Sequence, residues 1–102
     1  MLMTAMKIKD LRSGMKNTVI EAIVKTKEVV TTSSKPHATA LIEDGTGRIM
    51  LNLWRDQIDQ VTVGDKIIVK KGFVKLWKGK LELNTWSAIE RVREKADSGV
   101  QK

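Results

Sequence analysis

No cysteine occurs in the 102 residues, so neither a disulfide framework nor a thiolate zinc site can be built. That absence fits a reducing compartment, and a cytoplasmic location is the expectation. No apolar run approaches the length of a membrane span. The opening stretch to Met6, followed by Lys7 and Lys9, also lacks an apolar run long enough for a signal peptide. Histidine and proline each occur once, as Pro36-His37, and no cysteine is available to pair with that histidine. Glu43 and Asp44 are adjacent carboxylates, but they fall in a turn where aspartate serves local bonding. Neither a phosphate-cradling loop nor a metal-ligand spacing is present. No catalytic residue, metal, cofactor or small-molecule substrate is expected, and the chain does not read as an enzyme.

What the chain has in excess is positive charge, a net +7. Such a balance favours a polyanionic partner, and its placement says more than its size. Residues 66–80 hold six lysines and no acid, whereas residues 43–65 carry five acids against two bases. The lysine-rich segment also contains two of the four aromatic residues, Phe73 and Trp77.

The length leaves room for one domain, large enough to bury a core without covalent staples. Breakers cut it into short runs. Residues 1–16 read as a lead-in covering one end of the domain, with Ile8 and Leu11 apolar and Ser13-Gly14 closing it. Residues 17–29 are β-branched and alternate, with Ile20, Ala22 and Val24 on one face, the period of a half-buried strand. A polar loop over 31–36 precedes a second strand over 37–43, and Asp44-Gly45-Thr46-Gly47 turns into a third over 48–54. Residues 55–61 have space for about two helical turns. Val63-Gly64-Asp65 leads into a fourth strand over 66–76, and Trp77-Lys78-Gly79-Lys80 reverses into a fifth over 81–89. The domain proper is placed at 17–92, and 93–102 is a short charged tail.

Five short strands with a helix between the third and fourth predict an all-β OB-fold, a five-stranded Greek-key barrel. An SH3-like barrel is the competing architecture, and the helical segment after the third strand decides against it. Aliphatic residues alone can fill the core: Ile20, Ala22, Val24, Ala40, Ile42, Ile49, Leu51, Leu53, Ile68, Leu81 and Leu83.

The aromatic residues are therefore free for other work. Trp54 shares a face of the third strand with Arg48 and Asn52. Phe73 and Trp77 lie four apart on the fourth strand, hence on one side, with Lys71 and Lys75 on that same side. Lys78 and Lys80 flank the hairpin tip. Burying such a face would bury lysines, at a cost of several kcal/mol unless they were paired. Left exposed, aromatic planes stack on unpaired bases at about 1–3 kcal/mol each whatever the base, while lysines neutralise phosphates. Duplex DNA shows no base faces, so the combination selects single strands. Trp86 reads either as a further stacking platform or as a lid on the barrel.

Several segments in order resemble the archaeal single-stranded DNA-binding proteins and the OB domains of replication protein A. They are Lys9-Asp10-Leu11-Arg12-Ser13-Gly14-Met15, Asp44-Gly45-Thr46-Gly47, Leu51-Asn52-Leu53-Trp54, Val63-Gly64-Asp65, the run Phe73 to Gly79, and Leu81-Glu82-Leu83-Asn84. The resemblance spans about Ile8 to Val92. It implies base-stacking roles for Trp54, Phe73 and Trp77, and it implies DNA over RNA in replication, repair or recombination. The chain departs from many members in having one OB domain, no cysteine for a zinc ribbon, and a short, charge-balanced tail. Expected partners are single-stranded DNA, with RNA as the alternative, and other replication or repair proteins around a monomer, with no membrane. A protein-docking OB domain is the third reading.

Overall fold

The computed structural model describes residues 5–30 and 37–92. The polar loop 31–36 and the tail 93–102 lie outside the described residues. The alternating runs become β1 (Thr18–Val30), β2 (His37–Glu43) and β3 (Arg48–Trp54). One helical turn, α1 (Gln57–Gln60), precedes β4 (Lys66–Trp77), β5 (Lys80–Asn84) and a two-residue β6 (Glu90–Arg91).

β1 is long enough to serve two neighbours. Its first half pairs antiparallel with β4, from Thr18 opposite Gly72 to Ile23 opposite Lys66. Its second half pairs with β2, from Val24 opposite Ile42 to Val30 opposite His37. β2 and β3 form a hairpin, and β3 runs parallel to β5 at Met50–Glu82 and Leu51–Leu83. With β4 and β5 paired as a second hairpin, the order β1-β2-β3-β5-β4 returns to β1. The sheet closes on itself with a helical turn between its third and fourth strands, the expected OB-fold.

The core is aliphatic, as expected, and nine of the eleven residues named for it are buried. Ile68 and Leu81 are the exceptions; both are half-buried, and Ile67, Val69 and Val74 fill β4's share of the interior. For Ile68 the reason is a bulge in β4. Thr18 and Ile20 of β1 face Gly72 and Val69 of β4, so three steps on β4 match two on β1. Lys71 absorbs the extra residue in the left-handed region (φ 54°). Odd positions point inward before it and even positions after it. Gly72, next in line, has no room for a side chain: a Cβ there would stand 2.7 Å from Thr18 Oγ1 and 3.0 Å from Leu83 Cδ1.

Two boundaries also differ from expectation. The helix is a single turn, because Val61 is needed in the core as extended backbone (φ −121°, ψ 125°). β5 ends at Asn84, where the chain turns off before adding β6 to β4 at Ile67 and Ile68.

The lead-in forms a 3-10 turn at Ile8–Asp10 that buries Ile8, with Leu11 buried just after it. Asp44 fastens it to the β2–β3 turn. Its Oδ2 accepts from the Ile8 N–H at 2.8 Å. Its Oδ1 accepts from the Thr46 N–H at 2.8 Å, the Thr46 hydroxyl at 2.6 Å and the Gly47 N–H at 3.2 Å. Burial pushes the Asp44 carboxyl upward, but these hydrogen bonds, the Thr46 hydroxyl foremost, outweigh it and hold the group below its ordinary value.

Candidate nucleic-acid interface

The outer face of β2, β3, β5 and β4 gathers the aromatic and basic side chains singled out in the sequence. On β3, Arg48, Met50, Asn52 and Trp54 point away from the buried Ile49, Leu51 and Leu53. On β4 the bulge at Lys71 turns Phe73, Lys75 and Trp77 outward while Gly72 and Val74 go in. The bulge thus decides which side of the barrel carries the aromatics. The hairpin tip is tight, with Lys78 (φ 50°) and Gly79 (φ 80°) both left-handed, the arrangement that matches the twist of a two-residue β-hairpin.

Four aromatic planes result. Trp54 lies half-buried with His37 stacked on it at 4.2 Å between ring centroids and 14° between planes. Phe73 and Trp86 form a tilted pair at 5.6 Å and 35°. Trp77 at the hairpin tip is 57% exposed and Trp86 is 81% exposed. Trp86 is therefore not a lid on the barrel; it stands in solvent beside Phe73.

The cations sit against these planes. Lys78 Nζ lies 4.5 Å from the centre of the Trp77 ring and Lys75 Nζ 5.9 Å from that of Phe73, contacts in the range of cation–π attraction. Ion pairs to Glu21 and Glu90 occupy Lys66 and Lys70. Arg48 lies on the face but is paired with Glu43 at 3.2 Å.

Among the described residues, three grooves cross this surface. One of about 580 Å³ at the hairpin end is lined by Arg48, Met50, Trp77, Lys78, Lys80 and Glu82, among others. A second, about 470 Å³, lies between Lys16, Asn17, Lys71, Phe73, Trp86 and Ser87. The third, about 320 Å³, joins Trp54 to Trp86 across α1. All ten residues named from the sequence fall on this face or its rim, but Asn52 is not free. It is buried, donating to Glu82 Oε1 at 3.0 Å and to Asn84 Oδ1 at 3.2 Å.

Gln57, invisible as a site residue in the sequence, fixes two of the planes relative to each other. Its Oε1 accepts from the backbone N–H of Trp54 at 3.0 Å, and its Nε2 donates to the backbone carbonyls of Thr85 and Ser87, each at 2.8 Å. The segment around Trp86 is tied again where the Thr85 hydroxyl donates to the Lys70 carbonyl at 2.6 Å. Sequence pattern does not single out His37, Lys16 or Glu82 as site residues either. Only the stack on Trp54 sets His37 apart, and only folding brings Lys16 beside Phe73.

Residues 18–89 match the family described as OB-fold nucleic acid binding domain. An OB domain from Thermoplasma acidophilum has a TM-score of 0.75 at 22% identity, over 88% of this chain and 88% of that one. A domain of replication protein A from Methanococcus maripaludis has a TM-score of 0.70 at 28% identity, over 89% and 98%. Schizosaccharomyces pombe Pot1pC bound to ssDNA has a TM-score of 0.68 at 15% identity, over 90% and 88%. The resemblance to archaeal replication protein A-like OB domains expected from the sequence is thus found among its structural neighbours. Since the family match covers most of the length and the aromatic face from Trp54 to Trp86, the chain belongs to the OB-fold nucleic acid binding domain family.

Proposed function

We propose that this domain binds single-stranded DNA with little regard for sequence, stacking bases on Trp54, Phe73 and Trp77, with Trp86 as a fourth plane. Lys71, Lys75, Lys78 and Lys80 take phosphates. The observation that carries this reading is the exposure of Trp77 and Trp86 on a face whose lysines point to solvent. Packing does not require either indole, since the barrel is filled by aliphatic residues. Bases stack on such planes and phosphates pair with such cations, and a duplex offers no base face to them.

The preference for DNA rests on the company the fold keeps, a replication protein A domain and a protein bound to ssDNA. The corresponding duty is replication, repair or recombination in the cytoplasm, as a binding module without turnover, alone or beside other proteins of those processes. One domain covers roughly 4–6 nucleotides, near the low end for this fold.

Titration with matched DNA and RNA oligonucleotides of mixed sequence, followed by tryptophan fluorescence, tests it. Quenching with tighter DNA binding is expected, and each of Trp54→Ala, Phe73→Ala and Trp77→Ala should lose about 1–3 kcal/mol. Tighter RNA binding would transfer the reading to RNA. Fluorescence indifferent to both polymers would favour a docked protein on this face instead.

A further inference from the structure

An acidic side chain stands in the middle of the basic face. Glu82 of β5 is opposite Lys75 of β4 and beside Met50 of β3. Phe73 is opposite Asn84 and Trp77 opposite Lys80, so Glu82 lies along β5 between two of the stacking planes. It also lines the hairpin-end groove with Trp77, Lys78 and Lys80.

Its hydrogen bonds fix what it offers a ligand. A carboxylate oxygen accepts and does not donate, so the amide that meets Glu82 Oε1 must be the NH2 of Asn52, at 3.0 Å. The other N–H of Asn52 goes to Asn84 Oδ1 at 3.2 Å, and Asn52 Oδ1 faces His37 Nε2 at 3.4 Å. Asn52 is used up as a donor. Among the described residues no partner takes the second oxygen of Glu82, which stays an acceptor, or the NH2 of Asn84, which stays a donor at the floor of the face, Asn84 being largely buried. A fixed acceptor beside a fixed donor, between two aromatic planes, is a base-reading element.

We propose that Glu82 biases this domain toward bases carrying an exocyclic amino group, cytosine in particular, and against thymine. The inference rests on the single-stranded DNA reading above and deepens it. Cytosine presents its N4 amino group as a donor, the group that glutamate accepts from in base recognition. Its neighbouring N3 and O2 are acceptors that the Asn84 amide can serve. Thymine places a carbonyl oxygen, O4, where cytosine has the amino group. Set against a carboxylate oxygen, it meets like partial charge and finds no donor. Stacking and phosphate contacts are blind to this difference, so the bias is superimposed on an otherwise tolerant interaction.

The experiment is a pair of fluorescence titrations with oligo(dC) and oligo(dT) of equal length at neutral pH, on the wild-type chain and on Glu82→Gln. Glutamine keeps the shape but can donate as well as accept. The dC-to-dT affinity ratio should fall on the order of fivefold in the variant, near the low end for a base-edge hydrogen bond. Lys75→Ala should weaken both oligonucleotides and leave the ratio alone, which separates edge reading from charge. Glu82→Asp, which withdraws the carboxylate by one methylene, should lower the ratio in the same direction if the glutamine variant folds poorly. Binding with an unshifted ratio in both Glu82 variants overturns the inference alone. Failure of the wild type to bind either oligonucleotide overturns the single-strand reading and the inference with it.

Discussion

Arg55, Lys71 and Lys78 hold left-handed backbone, at φ 54°, 54° and 50°. A side chain there costs roughly 1–2 kcal/mol relative to ordinary conformations, and glycine would avoid the cost. Each stands beside an aromatic plane: Arg55 follows Trp54, Lys78 follows Trp77, and Lys71 precedes Phe73 by two. Close in the chain to Trp54, Phe73 and Trp77, a cation thus stands at three positions where stability alone would choose glycine. Strain of this kind gathers at functional sites. Asp44 works in the opposite sense, as a purely structural anchor. Its carboxyl is held below its ordinary value of 3.8 in the folded chain, so it stabilises the fold above the unfolded value and loses that contribution as pH falls through 3.8 and below. Asp44→Asn can retain an acceptor for Thr46 and Gly47 but sets an NH2 against the Ile8 N–H. A loss of about 1–3 kcal/mol at neutral pH is expected, with a flatter decline in acid. Urea unfolding at neutral and acid pH measures both, and an equal loss at the two would mean that the charge is irrelevant.

At the scale of elements, β4 holds the decisive irregularity. Alternation made the strands legible, and β2 and β3 occupy the ranges read from the sequence. The outward direction of Phe73, Lys75 and Trp77 was legible as well, because the period of two holds after the bulge. Before it, the same period carried backward put Ile68 in the core, where Ile67 and Val69 belong. Nothing in Lys70-Lys71-Gly72 announces a shift of register, since the bulge arises from pairing with β1, a partner far away in sequence. Trp86 was ambiguous for a related reason. Alternation along a strand assigns no side to Trp86, because β5 stops at Asn84 and hydrogen bonds from Gln57 and Thr85 set the direction instead. Gly72 tests the bulge. Gly72→Ala would press a methyl against Thr18 Oγ1 and Leu83 Cδ1, and overpacking of this kind costs about 1–3 kcal/mol. Chemical denaturation should show that loss, together with weaker oligonucleotide binding as Phe73 shifts. Unchanged stability would mean that β1 and β4 can separate there without penalty.

Over the whole molecule, charge is sorted by what the fold does with it. Lys66 and Lys70, before the bulge, join ion pairs with Glu21 and Glu90, and such exposed pairs contribute little stability. Lys71, Lys75, Lys78 and Lys80, from the bulge onward, surround the aromatic planes, with Lys75 and Lys78 lying over Phe73 and Trp77. If each of these four releases a phosphate counterion on a single strand, at about 0.7 per contact, log K against log salt should fall with a slope of about −3. The two kinds of group should then separate in one experiment. Phe73→Ala or Trp77→Ala removes stacking and should displace the line downward without tilting it. Lys71→Ala or Lys75→Ala should reduce the slope by about 0.7 each. Lys78 is the informative case, because its ammonium rests on the Trp77 ring and must leave that face for a base to stack there. Lys78→Ala should therefore flatten the slope while uncovering the ring, so that it loses less affinity at high salt than Lys75→Ala does. Identical losses at every salt concentration for lysine and aromatic variants would show that the face binds as one undivided surface, and the division between planes and charges would fail.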